Sequence, residues 1–298
     1  MQQLDIFRDS HEVALANEVV TALCAHDCQR AAQGIAALRG EAPGRPDLPA
    51  LEMLSDFLAL FEKPDFADLD ANAIAVVVDV LSARIVPAAR VLGNRQAKPF
   101  LAFFWKRLAR AAGSAFDAQR PHLSAADLFL CAEDYAAAEE AAKAIVGHAT
   151  HHALLRWRAI ARYRLAGLKD ARAEIFTAAW VHPERFPALL GELNDVLLNR
   201  DWSEFQAGTD DLDAAWFPAW YLNRHRDAAG DIGAGLRRHE GQAVGRIPAM
   251  QACLLLARII ELEKRGHSRD LVSHRARLRA LDAGFFVLYM RSRSVQHP

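Results

Sequence analysis

Thiols and imidazoles are the side chains of this sequence best suited to chemistry, and they gather in two short clusters. Cys24, His26 and Cys28 alternate at one point, and zinc accepts both ligand types. A closed zinc site needs about four ligands, and no paired Cys-x-x-Cys knuckle is present to complete one. The expectation there is a helix boundary with two buried thiols. His148, His151 and His152 form the second cluster, in the string GHATHH. No carboxylate or cysteine stands at ligand spacing beside them, so solvated histidines in a loop are expected. HEVALANE, beginning at His11, departs from the His-Glu-x-x-His of zinc peptidases because Leu15 takes the place of the second histidine. Gly233 and Gly235 make a Gly-x-Gly without the preceding strand and third glycine of a nucleotide loop. Neither a nucleophile elbow nor a phosphate loop occurs. These strings predict no catalytic residue, no metal ligand and no cofactor. A weaker reading keeps an enzyme or metal-binding protein whose site lies between helices, since distant residues leave no local motif.

Charge gives a second candidate. The last part of the chain carries Arg258, Lys264, Arg265, Arg269, Arg275, Arg277, Arg279, Arg291 and Arg293 against few acids. Arg269, Arg275, Arg277 and Arg279 are the core of this basic patch, which could meet phosphate or an acidic partner. Basic solvated faces are commoner, so direct nucleic-acid contact is a secondary reading. The formal net charge of −1 and pI near 6.9 give the whole chain no attraction for nucleic acid or an anionic membrane.

The first residues supply the most distinctive string: Gln3, Leu4, Asp5, Ile6 and Phe7. It resembles the pentapeptide, usually Gln-Leu-Ser/Asp-Leu-Phe, by which many bacterial replication and repair proteins dock on the DNA sliding clamp. The resemblance implies a mobile peptide whose Leu4, Ile6 and Phe7 enter an apolar pocket while Gln3 makes polar contacts at its rim. An alternative use of the same side chains is to fold back on the first hairpin, as a plug or as a hydrophobic staple ahead of Ser10.

Local pattern predicts helices throughout. Ser10 is a fitting N-cap for a helix carrying Val13, Leu15, Val19, Val20 and Leu23 and ending near His26. Asp27 opens a small-residue helix, residues 28–38, closed by Gly40. Residues 48–61 read as a third helix, and a long fourth run starts near Asp70 and is kinked or split at Pro87. Residues 94–112 carry Phe100, Phe103, Phe104 and Trp105 on so many sides that much of the helix must be covered. Further on, aromatics gather at Trp216, Phe217, Trp220 and Tyr221, where packing is the default expectation. A loop is expected over residues 229–245, then helices at 248–264 and 268–281 and the AGFFVLYM tail.

Between these lies a repeat. EDYAAAEEAAKAI from Glu133 has an acidic turn, Tyr135, and small residues at Ala138 and Ala142. GLKDARAEIFTAA follows about 33 residues later with Gly167, Ala171, Phe176 and Ala179, and a similar step reaches Asp201 and Trp202. The chain resembles the tetratricopeptide-repeat family, best over residues 123–205 and loosely over 10–43. Tyr163, Gly167, Phe176 and Ala179 match that family's Tyr, Gly, Phe and Ala. The resemblance implies an α-solenoid of antiparallel hairpins that bury one another's apolar faces and leave a surface for a partner.

The sequence thus predicts an all-α, TPR-like protein with a peptide motif at residues 1–9, a single repeat domain over 10–298, and a helical cap at 246–298. The expected function is a non-enzymatic scaffold or adaptor for a protein partner, the alternative a replication or repair accessory factor on the sliding clamp. Cys24, Cys28, Cys131 and Cys253 are too few and scattered for a disulfide framework, which fits a reducing, cytoplasmic setting. Ala73 to Val86, the most apolar stretch, is interrupted by Asp79 and Arg84 and is too short to span a bilayer.

Overall fold

The computed structural model describes residues 6–61, 69–147, 150–209, 212–236, 247–266 and 268–296. Helices are the only regular structure among them, so the all-α expectation holds. No helix among the described residues is long and apolar enough to cross a membrane. The chain divides into two compact units, residues 1–145 and 146–298.

The first unit contains α1 (Ile6–Cys24), α2 (Cys28–Glu41), α3 (Leu48–Phe61), α4 (Ala71–Val80), α5 (Val86–Ala88), α6 (Asn94–Ala112), α7 (Ala125–Cys131) and α8 (Tyr135–Ala144). Short polar side chains start the helices by accepting hydrogen bonds from otherwise unpaired amides. Asp27 accepts from Arg30 N at 2.9 Å, Asp70 from Asn72 N and Ala73 N, Ser124 from Asp127 N, and Asp134 from Ala137 N. The expected cap at Ser10 is not used, because α1 already begins at Ile6 and no Gly or Pro interrupts residues 6–10. The turn after α1 is made by His26 in the left-handed region, with φ 56°.

Two local features shape this unit. Gly34 of α2 lies so close to α1 that a Cβ added there would sit 2.8 Å from Val19 Cγ2. The small-residue character of α2 is what allows this approach. Pro87 has no N–H to offer the carbonyl one turn back. The chain answers with a π-helical turn, Leu81–Ile85, in which Val86 N–H reaches Leu81 O, and then a 3₁₀ turn, Ala89–Leu92, ending at Gly93. Phe104 centres the core, with ring centroids 4.7 Å from Phe61 and 5.0 Å from both Phe57 and Phe100. Leu23, Leu54, Leu81 and Leu108 are fully buried around it.

The second unit contains α9 (His152–Val181), α10 (Phe186–Leu193), α11 (Val196–Gly208), α12 (Phe217–Arg224), α13 (Ala229–Leu236), α14 (Pro248–Arg265), α15 (Arg269–Leu281) and α16 (Ala283–Gln296). Gly167, at φ 77° and ψ −179°, breaks α9 into two helical arms, as expected of a turn glycine. The core is aromatic: Phe217 contacts Phe176, Phe186, Phe205, Trp202, Trp220 and Tyr221. Packing is thus what the Trp216 to Tyr221 cluster does.

The loop expected over 229–245 begins instead as α13. Glycine disfavours a helix by about 1 kcal/mol per residue, and here burial of Ala229 and Ile232 against α9 and α14 offsets that cost. Residues 237–246 lie outside the described part. The AGFFVLYM tail opens α16, whose Phe285 and Tyr289 are fully buried and which packs on α12 and α15.

Candidate functional site

The densest polar arrangement surrounds Glu263, in the last turn of α14, with its side chain 11 % exposed. Tyr289 Oη and Arg275 Nη2 both donate to Oε1 at 2.5 Å, Arg293 Nε stands 3.1 Å from the same oxygen, and Arg226 Nη2 donates to Oε2. Tyr289 Oη in turn accepts from Arg275 Nε at 2.8 Å. Burial alone would raise the Glu263 carboxyl, but the Tyr289 and Arg275 hydrogen bonds with the Arg226 and Arg293 charges hold it below its ordinary range. Burial and the bond to Glu263 push the Tyr289 phenol up. Three guanidiniums on one carboxylate bind α14, α15, α16 and the turn at Arg226 together. Tyr289 and all three arginines converge on Glu263, so the arrangement is a structural hub.

The basic patch divides around this hub. Arg275 turns inward to Glu263 and Tyr289, while Arg269, Arg277 and Arg279 are exposed on α15. Lys264 and Arg265 at the end of α14 are exposed as well. Val272, Ala276, Ala280 and Phe286 line a shallow depression of about 500 Å³ beside Arg275 and Arg279.

Histidines form the second arrangement. His151 is the N-cap of α9, its Nδ1 accepting from Ala153 N at 3.3 Å, and its ring stacks on His152 with centroids 4.7 Å apart. His182, at the far end of α9, joins them: its ring lies 5.7 Å from His152, and Nε2 bonds Thr150 O at 2.8 Å. The expectation of solvated loop histidines is corrected for His151 and His152, which are half-buried and stacked; His148 lies outside the described residues. Burial lowers the pKa of both, and the nearby charges of Arg185 and His182 lower them further. Among the described residues no group of three His, Cys, Asp or Glu side chains has the geometry to hold a metal ion.

Asp201 of α11 is the third arrangement. It is almost fully buried, with Oδ2 2.7 Å from His225 Nε2 and Oδ1 without a hydrogen bond, 3.6 Å from Arg224 Nε. His225 caps the end of α12 and lies against the Tyr221 ring, so the pair joins α11 to α12. Among the described residues no hydroxyl or thiol stands within hydrogen-bonding distance of this imidazole.

In the first unit, His26 packs as an aromatic ring. Its centroid is 4.0 Å from Phe103, its Nε2 is buried without a hydrogen bond, and burial lowers its pKa. Cys24 and Cys28 on either side are half-buried where buried thiols were expected, Cys131 is exposed and Cys253 is buried. Gly233 and Gly235 lie within α13. Of the N-terminal motif, Gln3, Leu4 and Asp5 fall outside the described residues, and Ile6 and Phe7 open α1.

Neither Glu263 nor His182 was visible to motif reading, because their partners lie up to 37 residues away. The few acids set in an arginine-rich stretch, Glu261 and Glu263 among them, are the signal that could have drawn attention to Glu263. Compared with protein-family models, curated proteins and solved structures, the chain matches none.

Proposed function

We propose that this chain is a non-enzymatic scaffold of TPR-like helical hairpins that holds a protein partner on its helical surface. The observation that carries the proposal is a pair of side-chain ties spaced about one repeat apart. Arg156 in the first arm of α9 pairs with Glu192 of α10 at 2.7 Å, 36 residues on. Tyr163 in the same arm donates to Asp195, the cap of α11, at 2.8 Å and a separation of 32. The first arm of α9 therefore lies beside the first helix of the next pair, the neighbour relation of stacked hairpins. Large apolar side chains left on helix surfaces, such as Val196 and Leu197 at 80 % and 58 % exposure, favour a partner over a small substrate. Affinity capture with the full chain, followed by cross-link mapping, tests the reading. The expected result is a protein partner cross-linked along one helical face; recovery of none, together with turnover of a substrate, overturns it.

The Gln3 to Phe7 string favours a second reading, an accessory factor on the DNA sliding clamp. Because Ile6 and Phe7 begin α1, docking as a mobile peptide requires its first turn to open. Purified clamp is expected to bind the intact chain and not Leu4→Ala/Phe7→Ala; equal binding, or none to either, removes this reading.

A further inference from the structure

We infer that the groove between α15 and α16 is the docking site for a short acidic, amphipathic helix of a partner protein. The inference rests on the scaffold reading and deepens it, naming the surface and the chemistry of what it takes.

The groove begins with spacing. Val272, Ala276 and Ala280 recur every four residues, so they form one stripe along α15. On α16, Phe286 and Met290 are related by the same step. Val272 is 52 % and Met290 40 % exposed, and the depression between the helices is lined by the stripe and by Phe286. The stripe has room for a row of apolar anchors. From Arg269 to Arg279 the helix rises about 15 Å, which matches roughly three turns of a bound helix.

Charge then selects the occupant. Arg269 and Arg279 lie at the two ends of the stripe, and Lys264 and Arg265 are exposed in the last turn of α14. Among the described residues none of these four pairs with an acid, although Glu263, Glu261 and Asp282 are close in sequence. Two of those acids are neutralised, Glu263 by the arginine hub and Glu261 by Arg258 at 3.2 Å, while Asp282 accepts from Phe285 N and keeps its charge just past the end of α15. Asp270 lies on the adjoining face of α15, with Arg277. Four exposed cations, Lys264, Arg265, Arg269 and Arg279, thus outnumber Asp270 and Asp282 around an apolar stripe.

A merely solvated basic face would not need Val272, Ala276 and Phe286 along its middle. Nucleic acid would use the cations, but its phosphates gain nothing from an alkyl-lined floor. An amphipathic helix with Leu, Met or Phe anchors and Asp or Glu flanks uses both, the anchors for affinity and the acids for orientation and speed of encounter.

Fluorescence anisotropy on the full chain tests this. The probe is a labelled helical peptide of about 14 residues with leucines at i, i+4 and i+7 and glutamates beside them. Its lysine counterpart and a short DNA duplex serve as comparison arms. The acidic peptide is expected to bind more weakly as salt rises, and the lysine peptide not to bind. Val272→Glu and Arg269→Glu/Arg279→Glu are each expected to weaken binding at least tenfold, while Arg269→Lys/Arg279→Lys retains it. These positions are exposed, so an unchanged melting temperature is expected to accompany the loss. Failure of the acidic peptide to bind, or binding that Val272→Glu leaves unchanged, overturns the groove. Tighter, Val272-insensitive binding of DNA overturns it also and assigns the rim to nucleic acid. If affinity capture with Val272→Glu still returns the same partner, the scaffold reading survives and the groove alone falls.

Discussion

Replacing Glu263 with Gln should be the most damaging single change of charge in the second unit. The side chain is 11 % exposed and meets Arg226, Arg275, Arg293 and Tyr289. The variant removes the negative charge and leaves three guanidiniums, 18 %, 19 % and 28 % exposed, facing one another. Breaking a buried pair by deleting one partner costs about 3–5 kcal/mol; solvent reaching the arginines places this case near the low end, about 3 kcal/mol. For a unit of this size that is a fall of about 6–12 °C in melting temperature. Glu261→Gln is the control, since its exposed pair with Arg258 should contribute less than about 1 kcal/mol. The sign with pH follows from the depressed carboxyl. The stabilisation is fully present above the unfolded value near 4.3 and is lost as pH falls through the lower folded value. Calorimetry of the three proteins between pH 7 and pH 3 measures this. Equal shifts for the two variants at pH 7, or a Glu263→Gln deficit undiminished at pH 3, would refute the hub.

Three further outcomes follow from the structure. Gly34→Ala must push Val19 aside and should cost about 1–3 kcal/mol by overpacking, whereas Gly167→Ala meets no atom within 4 Å and should cost about 1–3 kcal/mol through its backbone conformation alone. Chemical denaturation with Gly40→Ala as the tolerated control separates them, and a neutral Gly167→Ala would sink the second. His151 and His152, with folded pKa values lowered below about 6.5, should reduce stability as pH drops from about 6.5 toward 5, because the unfolded chain then binds more protons. Melting temperatures of the wild type and His151→Gln/His152→Gln across that range should diverge, and parallel curves would contradict the cluster.

Much of the helical layout was legible because its signals are local. Residues 48–61 and 94–112 were bounded correctly by apolar periodicity and by the Pro and Gly residues around them. Asp27, Asp70, Asp134 and Gly167 announced turns whose chemistry needs only one residue. Ser10 misled because a good cap is also tolerated inside a helix, and α13 was missed because burial of Ala229 and Ile232 outweighed its glycines. Sites were harder to read. The Glu263 hub gathers α14, α15, α16 and the turn at Arg226, so no window of sequence contains it. The stripe on α15 was present in the spacing of Val272, Ala276 and Ala280, but only the arginines drew notice. Which of those arginines face solvent depended on Glu263 claiming Arg275.

The placement of Tyr289 and Arg293 also bears on the order in which the chain can fold during synthesis. Glu263 leaves the ribosome well before the residues that neutralise it from α16, and Phe285 fills its place in the core equally late. The second unit therefore has to wait, incompletely closed, until its last helix emerges. The rings of Phe57, Phe61 and Phe100 have all been made by residue 104, so the first unit can gather its aromatic centre while its neighbour is still being made.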